Sequence, residues 1–145
     1  MSELNKIALK ILSNGKGILA ADESNGTMTK RLDSVKIQSS PKNRLLFREI
    51  LFTADSMRDC IGGVILYDET INQKSSIGKT IPALISESGV IPGIKVDTGT
   101  KDLANSLDEK VTEGLDGLRE RLKKYHELGA RFTKWRGVYL SLIHI

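Results

Sequence analysis

The chain has 145 residues, 39% of them hydrophobic and 28% charged, which suits one globular domain and excludes disordered and fibrous classes. Lys and Arg number 22 against 18 Asp and Glu, a net charge of +4. The charge is scattered along the chain, and a pI near 9.2 suits an anionic metabolite as well as it suits nucleic acid. One cysteine, Cys60, excludes an intrachain disulfide and points to a reducing, cytoplasmic compartment. Its mostly apolar neighbourhood predicts a packing residue. No run approaches the ~20 apolar residues of a membrane span.

In chain order, Leu4, Ile7, Ile11 and Leu12 share one face of a short helix that stops at Asn14-Gly15. With Glu3 and no Arg, this segment reads as a helix and not as a transit peptide. Residues 17–21 form the first of four short apolar runs, followed by 63–67, 91–96 and 130–142. Each is too short or too β-branched for a comfortable helix and is expected to be a buried parallel strand. Ser40-Pro41 opens a helix that carries Leu45, Leu46, Ile50 and Met57 towards Asp59. Between residues 71 and 88, Pro82 forbids a continuous helix and allows a short one beginning there. Residues 112–128 place Leu115, Leu118, Leu122 and Tyr125 on one stripe, with Gly129 as a stop. Strands and helices alternate without a hairpin signal, so the class is α/β with parallel strands and crossover helices. No repeat or composition shift marks an internal domain boundary.

Parallel strands present ligand contacts at their C-terminal ends, and every run here ends in charge. The first closes on Asp22 and Glu23, the second on Asp68 and Glu69, the third on Lys95 and Asp97, the fourth on Lys134 and Arg136. A period of two sets Lys95 with Asp97 and Lys134 with Arg136, each pair on one face. A lysine so placed is desolvated and crowded by other cations, which makes it a candidate amine nucleophile or proton carrier. Two readings stand side by side: a cleft for an anionic substrate with acid and base groups adjacent, or salt bridges that finish the sheet. Ser24-Asn25-Gly26-Thr27 with Lys30 and Arg31 offers hydroxyls, a glycine and two cations, a phosphate cradle or an ordinary loop.

Other chemistries find little support. Gly78-Lys79-Thr80 fails as a phosphate-binding loop, because position 73 is Gln and Ile81-Pro82 follow where a helix should run. Cys60, His126 and His144 have no metal-ligand spacing, and His126 sits on the solvent side of a charged helix. Seven aromatic residues without basic interleaving disfavour a nucleic-acid platform.

The segment Gly15-Lys16-Gly17-Ile18-Leu19-Ala20-Ala21-Asp22-Glu23-Ser24 resembles class I fructose-bisphosphate aldolase. So do Lys30-Arg31-Leu32, Cys60-Ile61-Gly62-Gly63-Val64-Ile65-Leu66, Gly93-Ile94-Lys95-Val96-Asp97, Glu113-Gly114-Leu115-Asp116-Gly117-Leu118 and Lys134-Trp135-Arg136, in that order. The resemblance runs from about Lys6 to about Val138. It implies a (β/α)8 barrel lyase of glycolysis and gluconeogenesis that reversibly cleaves fructose 1,6-bisphosphate to dihydroxyacetone phosphate and glyceraldehyde 3-phosphate. The reaction runs through a lysine Schiff base, with no metal or other cofactor and a sugar phosphate as the partner.

By position, the resemblance makes Asp22 the carboxylate that orients substrate hydroxyls and moves protons, and Lys134 a source of charge and proton handling near the imine. Lys95 and Arg136 would position the substrate and its far phosphate. Thr27, Lys30 and Arg31 would line a phosphate region, with Glu23 in support. The family's imine-forming lysine and its catalytic glutamates lie on later strands, so no Schiff-base lysine is expected in residues 1–145. Those residues are expected to be the N-terminal part of one barrel domain, about its first four strands, truncated and inactive alone. Residues from about Gly137, and surely 141–145, do not match the family's continuation. A full-length enzyme would be a cytoplasmic homo-oligomer that binds neither membrane nor nucleic acid. A non-catalytic phosphosugar-binding relative and another lysine-imine barrel, of the transaldolase kind, are the alternatives.

Overall fold

A computed structural model describes residues 2–139. Helix α1 (Glu3–Leu12) starts at Ser2, whose hydroxyl accepts the Asn5 amide. It stops where Asn14 and Gly15 take positive φ. Strand β1 (Gly17–Ala21) then leads to α2 (Asn25–Ser34), capped by Ser24, and to α3 (Pro41–Phe52), capped by Ser40 with Pro41 in its first turn. A one-turn α4 (Met57–Cys60) precedes β2 (Ile61–Leu66). Next come α5 (Asp68–Ile71), α6 (Ile81–Glu87) around the expected Pro82, and β3 (Ile91–Lys95). The short strands β4 (Gly99–Asp102) and β5 (Lys110–Glu113), helix α7 (Leu118–Glu127) and β6 (Phe132–Lys134) complete the order.

Four parallel strands in the order β1-β2-β3-β6 form one sheet flanked by helices. The sheet does not close: among the described residues β1 and β6 each have one edge without a partner. This α/β arrangement is the wall of a partial (β/α)8 barrel. Alternation sorts its residues cleanly. Ala21, Val64, Leu66, Ile94 and Val96 face the helices and pack with Phe52, Met57, Ile71, Ile81, Ile85 and Tyr125. The opposite, inner face carries Ile18, Ala20, Gly63, Ile65, Gly93, Lys95, Phe132 and Lys134, as the strand register dictates. The Phe132 ring lies over Gly93, where an added Cβ would sit 2.4 Å from it. At the opposite end of the strands from the charged residues, α1 closes on β2 so tightly that a Cβ on Gly62 would lie 1.8 Å from the Ile11 carbonyl oxygen.

Several expectations are corrected. β4 and β5 form an antiparallel hairpin inserted between β3 and α7, and residues 112–117 belong to its end and to a turn. Gly114 and Gly117 hold φ of +129° and +60° there, which excludes the helix start placed at Thr112. The hairpin carries no apolar alternation, which is why the pattern missed it. The stripe expected on α3 is also rotated: Leu46 and Ile50 are exposed, and the buried face is Arg44, Arg48, Glu49 and Phe52. On α1 only Ile11 is buried. Cys60 is exposed at the end of α4, not packed in the core. β1 is half open because its inner face and one edge are uncovered. The fourth strand is shorter than the apolar run, and residues 140–145, with the reading of 141–145 and of His144, lie outside the described residues.

Candidate functional site

The C-terminal ends of the four strands open on a cleft of about 710 Å³. Of the eight residues singled out from sequence, Asp22, Glu23, Thr27, Arg31, Lys95, Lys134 and Arg136 line it. Lys30 does not; it is exposed on α2. Residues 112 positions apart meet here, as the Lys134 ammonium donates to Asp22 Oδ2 at 2.5 Å. The two sit on the first and fourth strands, which in a flat sheet would be about 14 Å apart. Their contact therefore requires a strongly curled sheet, with both side chains on its concave face.

Lys95 donates to Asp97 Oδ1 at 2.6 Å and to the Asp97 carbonyl at 2.8 Å. Asp97 also accepts the Gly99 and Arg136 amides at 3.2 and 3.3 Å. Burial opposes ionisation of this carboxyl, but Lys95 and the two amides outweigh it and hold Asp97 below its ordinary pKa. The lysines are thus not crowded by cations: each faces a carboxylate. Cleft and salt bridges, two separate readings of the strand ends, coexist.

Around the first strand's exit, Glu23 Oε1 accepts Arg31 at 2.5 Å. Ser24 and Thr27 hydroxyls lie 3.2 Å apart at the start of α2. Arg44 forks onto Glu69 with bonds of 2.8 and 2.6 Å. Arg44's hydrogen bond pulls the Glu69 carboxyl below its usual range, and Glu69 in turn raises Arg44. Arg48, fully buried, donates to Thr70 Oγ1 at 2.7 Å and to the Glu23 carbonyl at 2.5 Å.

On the far wall, Arg121 donates to the Val96 and Gly114 carbonyls and ties the end of β3 to the turn after β5. Tyr125 donates to Asp68 at 2.9 Å, and burial and then Asp68 push its phenol up. The sequence marks Asp68 and Glu69 as strand-end charges but does not bring Arg44, Arg48, Arg121 or Tyr125 to this end of the sheet. The signal was there for the two arginines of α3: Arg44, Arg48 and Phe52 recur four apart, the spacing of one helix face.

The arrangement suits a polyanion bearing hydroxyls, with three cations, Arg31, Lys95 and Lys134, each paired with a carboxylate. No group of three or more His, Cys, Asp or Glu side chains among the described residues fits a metal ion. No helix there is long and apolar enough to cross a membrane.

The family model of fructose-bisphosphate aldolase class-I matches residues 3–142. A probable class 1 fructose-bisphosphate aldolase of Xylella fastidiosa is 50% identical over 138 residues, covering 95% of this chain and 41% of that protein. Fructose-bisphosphate aldolase 1 of Toxoplasma gondii and cytosolic fructose-bisphosphate aldolase 6 of Arabidopsis thaliana are each 52% identical over 136 residues, 94% of this chain and 38% of theirs. A solved structure of the Plasmodium falciparum aldolase, in complex with TRAP and a small-molecule inhibitor, superposes with a TM-score of 0.89 at 46% identity. The superposition covers 92% of this chain and 39% of that one. The chain spans about two fifths of the length of the relatives it matches. A family match over nearly every residue, together with a curled parallel sheet whose strand ends carry the expected carboxylates and lysines, makes this chain a member of the class I fructose-bisphosphate aldolases.

Proposed function

We propose that the chain carries the first-strand to fourth-strand portion of the substrate site of a Schiff-base aldolase acting on fructose 1,6-bisphosphate, and does not cleave the sugar by itself. The observation that carries this is the meeting of Asp22 with Lys134 across the concave face. Aldol cleavage needs a proton taken from the hydroxyl beside the breaking bond and an imine to receive the electrons. Asp22 orients the hydroxyls and carries the proton, and Lys134 supplies positive charge beside the reacting carbons. Arg31 and Thr27 take up one phosphate at the start of α2 with Glu23 in support, and Lys95 and Arg136 position the remainder of the substrate. Lys30, exposed outside the cleft, contributes long-range attraction only. The lone thiol of Cys60 fits a reducing, cytoplasmic setting.

The imine lysine is not among these residues. The resemblance assigns the imine to a lysine on a later strand, and Lys95 and Lys134 here both donate to carboxylates. Borohydride treatment of the chain with dihydroxyacetone phosphate, followed by mass spectrometry, is expected to leave Lys95 and Lys134 unmodified. A covalent adduct on either, or measurable cleavage, overturns the reading.

A further inference from the structure

Arg48 stands apart from the other cations of this end of the sheet. It comes from the middle of α3, its side chain is 0% exposed, and it does not line the cleft. Its guanidinium reaches two strand exits at once. One nitrogen donates to the Glu23 carbonyl, in the turn after β1, and another to Thr70 of α5, which follows β2. Its Cζ lies 5.9 Å from the centre of the Tyr67 ring at the end of β2. Packing alone does not call for a cation here, since an apolar side chain of similar volume fills such a site without the desolvation of a charge. What an arginine adds is a rigid fork that fixes two partners at set angles.

The Glu23 carboxylate sits between two arginines of opposite character. Arg31, 55% exposed, binds it at 2.5 Å. Arg48 lies 3.6 Å from its other oxygen, which has no hydrogen bond. An anion that draws Arg31 away therefore does not leave Glu23 without a counter-charge. The Glu23 carbonyl belongs to the Glu23–Ser24 peptide, one residue beyond Asp22, so Arg48 holds the turn into which Asp22 leads.

We propose that Arg48 is a positioning residue: without touching the ligand, it fixes the turn into which Asp22 leads and backs Glu23 so that Arg31 can trade its carboxylate for a phosphate. The second half of this statement rests on reading the cleft as a sugar-phosphate site; the first half does not.

The test uses the 145-residue chain, its Arg48→Met, Arg48→Lys and Thr70→Val variants, and Arg58→Met as an exposed control. Inorganic phosphate is titrated while the Ser24, Thr27 and Arg31 amides are followed by NMR. Hydrogen exchange compares the Thr27 and Met28 amides, which bond back to Ser24, with Val64 and Ile94 in the sheet. Arg48→Met is expected to raise the phosphate dissociation constant at least tenfold and to speed exchange at Thr27 and Met28 at least tenfold more than in the sheet. Arg48→Lys and Thr70→Val should fall between wild type and Arg48→Met, and Arg58→Met should match wild type. Unchanged phosphate affinity in Arg48→Met, or exchange that rises equally in turn and sheet, overturns the proposal. If Arg48→Met does not fold, Thr70→Val and Arg48→Lys decide by the same two measurements. A wild-type chain that binds no phosphate refutes the sugar-phosphate reading and with it the Arg31 exchange, and the exchange ratio alone then decides whether Arg48 holds the turn.

Discussion

Replacing Lys95 by Met isolates the electrostatics of the cleft floor, because methionine keeps most of the aliphatic stem and removes only the ammonium. The Asp97 side chain is 1% exposed and Lys95 17%, so the loss is felt in a poorly solvated place. Removing one member of a buried pair costs about 3–5 kcal/mol, since the other charge stays behind. Two amides still bond to Asp97, and a hydrogen bond to a charged group is worth about 1.5–3 kcal/mol. The expected cost at pH 7 is therefore about 2–4 kcal/mol. The sign of its pH dependence follows from Asp97. In the native chain its pKa is depressed, so its stabilisation is complete above the ordinary carboxylate range of about 3.9 and disappears as pH falls through the folded value. Without Lys95, burial dominates and the carboxyl accepts a proton more readily, so the gap between the two proteins narrows on acidification. Urea unfolding followed by far-UV circular dichroism at pH 7 and pH 4 measures both. A cost below about 1 kcal/mol at pH 7, or a gap that fails to narrow at pH 4, refutes the account. Adding Asp97→Asn to Lys95→Met should recover part of the loss.

The same unfolding assay reaches other parts of the molecule. Gly62→Ala places a methyl 1.8 Å from the Ile11 carbonyl oxygen, so α1 must retreat by about 1.5 Å and release Ile11, at a cost of about 2–4 kcal/mol. Ile11→Ala should then cost clearly less in the Gly62→Ala background than alone, and strict additivity would show that α1 had not moved. Arg44→Met should remove the acid-side stability that Glu69 contributes, which in the native chain is present above about pH 4.3 and lost as pH falls through the depressed value. The variant's stability should be lower by about 1–3 kcal/mol at pH 7 and flatter below pH 4.

The strand ends were legible before any coordinates because β-branched runs closing on charge leave few other readings, and because motif order tied them to one family. Side-chain alternation correctly paired Lys95 with Asp97. The helices were less legible. On α3 the apolar residues Leu46 and Ile50 suggested one face, yet Arg44 and Arg48 are buried because Glu69, Thr70 and the Glu23 carbonyl, far along the chain, receive them. No local pattern contains those partners. The hairpin was invisible for a related reason: β4 and β5 are almost wholly polar, and pairing between their backbones defines them. Cys60 is exposed although its neighbours in sequence are apolar, because it sits at the end of a one-turn helix.

The link between Asp22 and Lys134 also orders events in time. Asp22 directly follows β1, and its counter-ion is made 112 residues later. At about 5–20 residues per second, that interval is roughly 6–20 s, during which Lys134 is not yet there to pair with the carboxylate. A loop of this length is entropically the most expensive in the sheet to close. The pair should therefore form after the β1–β2 and β2–β3 ladders and gain its strength only once they have curled the sheet. Probes at Asp22 and Lys134 would report the curling of these four strands and not the pairing of the first two.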